Sequence, residues 1–146
     1  CYLALRGLRT LPVRLARHEK NGLALAEWFA ARPEIVQVLH PARPDCPGHE
    51  IWQRDFTGAS GLFGIILRDG IAREQLADML DGMSYFGMGY SWGGFESLMI
   101  PTSPGEYRTA TKWTETGQAL RVHAGQESLD DLIDDLERGF RRLNGT

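Results

Sequence analysis

Arg121 is the residue whose type and surroundings best fit a chemical role. It stands in Leu120-Arg-Val-His-Ala-Gly125, where apolar residues alternate with others as in a strand that has one buried face. A guanidinium in the middle of a strand must be paired, because an unpaired buried charge is costly. Its planar guanidinium can bind a carboxylate through two parallel hydrogen bonds. The pattern leaves two partners open: a carboxylate of this chain in an internal salt bridge, or the carboxylate of a ligand.

The second candidate is the stretch from Ser84 to Leu98, which alternates with a period of two. Its bulky residues on one face are Phe86, Met88, Tyr90 and Trp92, and its small residues on the other are Gly87, Gly89, Ser91 and Gly93. This alternation predicts a strand with its bulky face in a core. Glycine weakens a strand interior, so a face of small residues usually marks close approach by a ligand or another backbone. Both a bound molecule and tight packing of a sheet or helix fit this face.

Two apparent motifs fit structural roles better. The run Gly87-Met-Gly-Tyr-Ser-Trp92 begins like a dinucleotide-binding fingerprint, but tryptophan stands at the third glycine position and no helix start follows. His40, Cys46 and His49 lie in a proline-rich stretch whose spacing matches no structural zinc pattern. We therefore predict that these three are loop residues rather than metal ligands.

Other polar residues also have a structural interpretation. His18 falls on the apolar stripe of a helix, which indicates an interior histidine with satisfied hydrogen bonds. The last helix begins with acidic residues and ends with arginines, in the order that complements the helix dipole. We predict a capping box at Ser128 and Asp131. The acidic residues that we predict to form a solvated face are Asp130, Asp131, Asp134 and Asp135.

The helices and strands that must position Arg121 can be predicted from hydrophobic periodicity and from the positions of glycine and proline. Gly22 on the buried stripe of the second helix predicts a close neighbouring backbone. The pattern predicts helices at Tyr2–Arg9, Thr10–Ala31, His49–Phe56, Ile71–Leu80 and from Ser128 onward, strands at Ile35–Leu39, Gly61–Leu67, Ser84–Leu98 and Leu120–Gly125, and irregular chain at Pro41–Gly48 and Pro101–Gly117. Together, these helices and strands predict an α+β fold, a two-layer sandwich of a small sheet with helices on one face.

Composition limits the class of protein. The 146 residues fit a single domain, and the net charge of −3 argues against nucleic acid as a partner. No apolar run reaches the length of a membrane span, and two cysteines make no disulfide framework, so we expect an intracellular, cytoplasmic protein. The chain opens at Cys1 without an initiator methionine. We therefore expect residues 1–146 to be one domain cut from a longer protein.

Six motifs in register resemble the C-terminal domain of the cystathionine β-lyases, which belong to the pyridoxal-phosphate (PLP) enzymes of cysteine and methionine metabolism. The resemblance covers essentially the whole chain. The motifs are Arg6-Gly-Leu-Arg-Thr-Leu-Pro-Val-Arg14, Ala26-Glu-Trp28 with Val38-Leu-His-Pro41, Pro47-Gly-His-Glu-Ile-Trp52, Arg54-Asp-Phe56 with Ser60-Gly-Leu-Phe63, Tyr90-Ser-Trp-Gly-Gly-Phe-Glu-Ser97 and Leu120-Arg-Val-His123.

The resemblance implies roles for four residues. Arg121 would grip the α-carboxylate of the substrate, and Ser91 would lie by the cofactor lysine and the substrate. Tyr90 and Trp92 would line the substrate pocket. Relatives that act at the γ-carbon usually have Ser-Leu-Gly-Gly where this chain has Ser-Trp-Gly-Gly, so Trp92 favours the β-lyases. The implied fold is the smaller, mostly antiparallel C-terminal domain of a fold-type I PLP enzyme.

The resemblance also implies what lies outside this chain. The Schiff-base lysine and the phosphate-binding residues of the family belong to an N-terminal PLP-binding domain. Lys20 and Lys112, the only lysines here, stand in no matching motif. We therefore expect no PLP on this chain alone and no activity, since PLP chemistry needs that lysine. The implied partners of the chain are its own N-terminal PLP domain and three further copies in a homotetramer.

For the intact enzyme, the resemblance implies cleavage of cystathionine to homocysteine, pyruvate and ammonia in methionine biosynthesis. The alternatives are a domain of a cystathionine γ-lyase or γ-synthase, and a binding or interaction domain without catalysis.

Overall fold

The computed structural model describes residues 1–146 and contains six helices and four strands. In chain order these are α1 (Tyr2–Arg9), α2 (Leu11–Ala30), β1 (Ile35–Leu39), α3 (His49–Asp55), β2 (Leu62–Leu67), α4 (Arg73–Asp81), β3 (Leu98–Thr102), α5 (Pro104–Tyr107), β4 (Ala119–His123) and α6 (Leu129–Leu143). None of the helices combines the length and the apolar character that a membrane crossing requires.

The four strands form one antiparallel sheet in the order β1-β2-β4-β3. β4 is an inner strand, paired with β2 on one side and with β3 on the other. In this register Arg121 lies opposite Gly64 of β2 and Ile100 of β3. The strand that carries the arginine is therefore held by backbone hydrogen bonds along both edges.

The core lies between the sheet and the helices α2, α4 and α6. Phe29 of α2 and Phe140 of α6 are fully buried, and their ring centroids lie 6.1 Å apart. Phe29 also packs edge-on against Phe63 of β2, at 6.0 Å. Leu120 and Val122 of β4 are buried in the same cluster, as their alternation predicts. The α+β prediction, a two-layer sandwich with a small antiparallel sheet, is confirmed.

Gly22 of α2 shows why a glycine stands on a buried helix stripe. A Cβ atom at this position would lie 2.7 Å from the carbonyl oxygen of Ser60 and 3.0 Å from Cα of Gly61. Both neighbours are backbone atoms, so they cannot swing away. The prediction of a close neighbouring backbone is therefore confirmed, and the contact sets how closely α2 approaches the start of β2.

The predicted strand from Ser84 to Leu98 is wrong. Residues 84–97, called the 84–97 segment below, form an irregular chain whose only ladder contact is an isolated bridge between Gly87 and Leu98. A regular strand, β3, begins only at Leu98. Of the four bulky residues, Phe86 alone is buried, whereas Met88, Tyr90 and Trp92 are 58%, 83% and 65% exposed. The alternation exists in the sequence, but the segment has no strand pairing beyond this bridge, and several of its backbone groups bond to side chains elsewhere in the chain.

Three smaller predictions also need correction. The stretch Pro101–Gly117 is not wholly irregular, because it contains the end of β3 and the short helix α5. Ser128 precedes α6, but its side chain makes no capping hydrogen bond. Asp135 does not belong to a solvated face, since it is completely buried. It occupies the inner side of α6, where it accepts hydrogen bonds from the start of the 84–97 segment.

Candidate functional site

Arg121 is half-buried in β4 and directs its guanidinium toward the 84–97 segment. Its Nη2 atom donates hydrogen bonds to the carbonyl oxygens of Gly89, at 3.1 Å, and Ser91, at 3.4 Å. The guanidinium carbon lies 5.7 Å from the ring centroid of Tyr90, within the range of a cation–π contact. Arg121 therefore contacts the very stretch that carries the other candidate residues.

No carboxylate of the chain pairs with Arg121. The ion pairs in the structure join Arg32 to Glu34, Arg43 to Glu27 and Asp45, Arg54 to Asp55, and Arg138 to Asp135. Arg121 thus has no internal salt bridge, one of the two alternatives that its sequence pattern left open. Its Nε and Nη1 atoms make no hydrogen bond within the chain, so donors of the planar fork remain available. A carboxylate supplied from outside the chain would satisfy them.

The start of the 84–97 segment is held by the buried carboxylate of Asp135 from α6. Its oxygens accept hydrogen bonds from the backbone N–H groups of Ser84, at 2.9 and 3.0 Å, Tyr85, at 2.7 Å, and Phe86, at 3.3 Å. Arg138 donates to the same carboxylate at 3.1 Å. A buried charge needs several such partners to be tolerated. Asp135 therefore fixes where the segment leaves the helical layer.

The end of the segment is held by Glu127, which follows β4. Its carboxylate accepts from the backbone N–H of Ser97 and from the hydroxyl of Ser97, both at 2.8 Å. The hydroxyl oxygen of Ser97 in turn accepts from the backbone N–H of Gly125 at 2.8 Å. Ser97 is completely buried, so this network leaves no polar atom of its side chain unpaired.

Between these two ends, the segment presents an open rim beside Arg121. Tyr90 is 83% exposed and Trp92 is 65% exposed, and Ser91 between them is exposed as well. The structure thus brings Arg121 together with the Tyr90 ring and the Ser91 carbonyl, and Trp92 follows them in the chain. The substrate-binding roles of these four residues stay predictions. Neither Tyr90 nor Trp92 lines the cavity that adjoins Arg121, so their place in a substrate pocket stays a prediction.

A cavity of about 330 Å³ adjoins Arg121 on the sheet. Gly64 and Leu120 form part of its floor, and Arg108 and Trp113 lie on its wall, with the Arg108 guanidinium 5.4 Å from the Trp113 ring. A larger cavity of about 540 Å³, between α3 and the start of β2, does not include Arg121. The cavity beside the arginine is the one in which a bound carboxylate would have both a cation and apolar surface for the rest of the molecule.

The histidines and the buried cysteine have backbone partners. His18 donates from Nδ1 to the carbonyl of Ala124 at 2.8 Å, as an interior histidine does. His40 accepts at Nδ1 from the N–H of Ala42, and His49 bonds to the carbonyl of Pro41. Burial lowers the pKa of His40 and raises that of the Cys46 thiol. No three His, Cys, Asp or Glu side chains lie together in a group that could hold a metal ion.

Both lysines are exposed, and neither lines the cavity beside Arg121. Lys20 lies on α2, and Lys112 lies in the loop between α5 and β4. Around Arg121 the chain therefore offers a cation for a carboxylate but no amine that could bond covalently to a carbonyl cofactor.

Three residues that hold the 84–97 segment were not singled out by their sequence pattern: Asp135, Glu127 and His123. For Asp135 a signal was present, because it falls between Leu132 and Gly139 at the i+3 and i+4 spacings of the buried stripe of α6. An acid on a buried stripe must have partners. For Glu127 and His123 no sequence pattern marks the role, since their partners are 29 to 30 residues away.

The sequence resembles a known group of proteins over nearly its full length. Residues 1–141 match the Cys/Met metabolism PLP-dependent enzymes. The cystathionine beta-lyase of Escherichia coli is 47% identical over 145 residues, which are 97% of this chain and 37% of that protein. The cystathionine gamma-lyase of Bos taurus is 31% identical over 151 residues, covering 99% of this chain and 36% of its own length.

A solved structure with a similar fold is the cystathionine gamma synthase of Xanthomonas oryzae in complex with aminoacrylate and cysteine. Its TM-score is 0.84 at 33% sequence identity, with 99% of this chain and 38% of that one covered. The chain therefore spans a little over a third of the length of the relatives that it matches.

Proposed function

Because the chain belongs to the family of Cys/Met metabolism PLP-dependent enzymes, we propose that it is the C-terminal, substrate-side domain of a PLP-dependent carbon–sulfur lyase. The preferred substrate is cystathionine, cleaved at the β-carbon to homocysteine, pyruvate and ammonia. In this proposal the enzyme is a cytoplasmic homotetramer that serves methionine biosynthesis, and residues 1–146 form one domain of each subunit.

The observation that carries the proposal is the free guanidinium of Arg121. It is held by the carbonyls of Gly89 and Ser91, has no carboxylate partner in the chain, and lies beside a cavity and an exposed rim. An arginine fork is the group that best recognises an α-carboxylate, because two N–H donors match its two oxygens. Any amino-acid substrate carries that group.

Each residue of the site has a task that follows from its geometry. Arg121 binds the α-carboxylate, and its bonds to Gly89 and Ser91 keep the fork in one orientation before the substrate arrives. Ser91 presents a hydroxyl on the rim as a hydrogen-bond donor or acceptor, while Tyr90 stacks near the guanidinium. Trp92 offers an exposed aromatic surface that would cover the substrate and exclude water once the site is closed.

The rest of the chemistry belongs to PLP, which when bound stabilises the negative charge that develops at the α-carbon. We propose that the lysine to which PLP attaches lies in an N-terminal domain, because Lys20 and Lys112 are exposed and lie outside the cavity. The chain alone would therefore neither hold PLP nor turn over substrate. Adding PLP to the isolated chain should give no lysine-dependent absorbance band, and such a band would contradict this part of the proposal.

The carboxylate role of Arg121 can be tested in the full-length protein. Arg121→Ala should lower kcat/KM for cystathionine by about 1.5–3 kcal/mol of transition-state stabilisation, roughly tenfold to over a hundredfold, while PLP absorbance is unchanged. Arg121→Lys should fall in between, since it keeps the charge but loses the fork. Arg54→Ala, an exposed arginine on α3, is the matched control. Unchanged turnover of Arg121→Ala at low substrate would overturn the role.

The position of bond cleavage is a separate part of the proposal. Trp92 supports the β-lyase over the γ-lyase or γ-synthase, because relatives acting at the γ-carbon usually have leucine at this position. Product analysis of the full-length protein decides between them. Pyruvate from cystathionine supports the β-lyase, and 2-oxobutyrate would support the γ-lyase instead.

A second candidate function is a binding domain without catalysis. The observation that favours it is the lack of a lysine around the Arg121 cavity. In that case Arg121 would bind a carboxylate ligand that is released unchanged. The coding sequence upstream of Cys1 discriminates: an in-frame PLP-lysine region excludes this candidate.

A further inference from the structure

We propose that His123 is a positioning residue for the carboxylate site, because its Nε2 atom holds the turn at Gly93 that places Ser91 and Trp92 beside Arg121. The inference rests on the proposed function of Arg121. It adds a second residue of β4 to the site, one that acts through the backbone of the 84–97 segment and does not touch the substrate.

His123 lies two residues after Arg121 in β4 and is only 3% exposed. Its neighbours across the sheet are Leu62 of β2 and Leu98 of β3, so no polar group of the adjacent strands competes for its ring. The ring reaches the 84–97 segment, where Nε2 lies 3.1 Å from the backbone nitrogen of Gly93 and 3.3 Å from the carbonyl oxygen of Gly94.

Nε2 cannot serve both partners at once. The N–H of Gly93 needs an acceptor, whereas the carbonyl of Gly94 needs a donor. The N–H of Gly93 is the nearer partner, and it is satisfied when the ring is neutral with its proton on Nδ1. Nδ1 itself is buried and has no partner, so no competing bond fixes the other tautomer. The geometry thus assigns Nε2 as an acceptor for Gly93.

The hydrogen bond from the Gly93 N–H to His123 restrains a turn that the backbone alone does not define. Gly93 has φ +76°, in the left-handed region that residues with a side chain rarely adopt. A glycine in this region is also free to leave it, so the backbone on its own does not define where the preceding residues lie. With Arg121 bound to the Ser91 carbonyl and His123 bound to the Gly93 N–H, the short stretch that contains Trp92 is held from both sides.

Protonation would reverse the preference. An imidazolium donates from both nitrogens, so Gly93 would lose its acceptor and Gly94 would gain a donor. Burial is the main reason that the pKa of His123 lies below its usual range, whereas the Gly94 carbonyl raises this pKa. The His18 ring, 5.1 Å away, and Arg121 lower it further. Glu127 acts in the opposite direction. The ring is therefore neutral at neutral pH and releases Gly93 only in acid.

Three variants of the full-length protein test the proposal. His123→Phe keeps a planar ring but removes the acceptor. His123→Gln places an amide oxygen, which does not titrate, where Nε2 stands. His40→Gln is the control, because His40 is also buried with a lowered pKa but bonds to Ser60 and Ala42, outside the 84–97 segment. The measurements are KM and kcat for cystathionine between pH 5.5 and 8, and deuterium uptake of peptides from residues 84–97.

The expected result is a KM for His123→Phe that is raised about three- to tenfold at pH 8 for one lost hydrogen bond, with a smaller change in kcat. The difference should shrink in acid, where the wild type loses the same bond. His123→Gln should restore the wild-type KM at pH 8. The ratio of its kcat/KM to that of the wild type should rise as the pH falls, because only the wild type loses its acceptor. At pH 8, deuterium uptake by the segment should increase in His123→Phe alone. His40→Gln should change none of these quantities.

Two results would overturn the proposal: a His123→Phe variant with wild-type KM and uptake, or a ratio of His123→Gln to wild type that does not change with pH. If His123→Phe fails to fold, the pH-dependent ratio still decides. If the wild-type protein does not act on cystathionine, the proposed function fails. The role of His123 is then tested by comparing deuterium uptake of residues 84–97 between the wild type and His123→Gln at acid pH. Greater uptake in the wild type then supports the proposal, and equal uptake overturns it.

Discussion

The sheet and the 84–97 segment meet at β4, yet different bonds hold them. Each strand of the sheet is defined by backbone pairing with its neighbours, and Arg121 has a paired strand on both sides. The segment has one isolated bridge, between Gly87 and Leu98, and one backbone bond from the N–H of Gln126 to the carbonyl of Phe95. Its other long-range backbone bonds are made by side chains. Those side chains are Asp135, Arg121, His123 and Glu127, which lie 29 to 51 residues further along the chain.

This difference has a consequence for the site. A backbone ladder tolerates many side chains, since its bonds come from groups that almost every residue has. A segment held by four side chains changes its shape when one of them is replaced. The scaffold of Arg121 should therefore be robust to substitution outside its core, whereas the rim that carries Tyr90, Ser91 and Trp92 should be sensitive at a few polar positions.

The largest effect is expected from Asp135→Ala. The substitution leaves the N–H groups of Ser84, Tyr85 and Phe86 without their acceptor and Arg138 without its partner, all beside a closed core. We expect the free energy of unfolding to fall by about 3–5 kcal/mol. Urea unfolding of the chain measures it.

The neighbouring Asp134→Ala is the control for Asp135, because Asp134 is exposed one position earlier on α6. It should change the free energy of unfolding by less than about 0.5 kcal/mol. Equal effects of the two substitutions would show that the buried carboxylate is not what holds the start of the segment.

The next effect concerns the sheet, at Gly61→Ala. A Cβ atom there would lie within van der Waals overlap of the backbone oxygen of Ala124, which cannot move without breaking the end of β4. We expect a loss of about 2–3 kcal/mol, in the upper part of the range for overpacked sites. Gly64→Ala, three residues on in β2, is the control, since its Cβ would meet Leu39 at an ordinary 3.5 Å. A loss at Gly64 as large as at Gly61 would contradict the argument.

A smaller effect is expected from Ser97→Ala at the end of the segment. The change removes the Ser97 hydroxyl, which donates a hydrogen bond to Glu127 and accepts one from the Gly125 N–H. The hydrogen bond from the Ser97 backbone N–H to Glu127 stays in place. We expect a loss of about 1–2 kcal/mol in the free energy of unfolding. The exposed Ser103 provides the comparison: if Ser103→Ala costs as much, the buried network contributes nothing of its own.

The smallest effect is the dependence of stability on acid. Burial lowers the pKa of both His40 and His123, so unfolding takes up protons once the pH falls below about 6.5, the usual pKa of histidine. The stability that the two neutral rings contribute is present above that pH and is lost as the pH falls below it.

Thermal unfolding at pH 7.5 and 5.5 measures this dependence. His40→Gln and His123→Gln should each lose less Tm on acidification than the wild type, because glutamine takes up no proton on unfolding. Equal losses in all three proteins would mean that folding lowers the pKa of neither histidine.

Much of the fold could be predicted from local pattern. Apolar spacing predicts the strand at Ile35–Leu39 and the helix that follows Ser128, and the structure contains both. These elements satisfy their backbone groups through regular pairing, so local periodicity carries the needed information. The same rule failed for the 84–97 segment, whose alternation of large and small residues is also typical of a strand.

The sequence by itself determined the fold class, the strand that carries Arg121 and the family to which the chain belongs. Only the tertiary structure decided that Arg121 lacks an internal carboxylate, that Asp135 is buried, and that His123 meets Gly93. The physical reason is the separation along the chain between the residues that interact. Periodicity reports contacts within a few residues, whereas a polar side chain finds its partner in space, and the partners of this site lie some thirty to fifty residues apart.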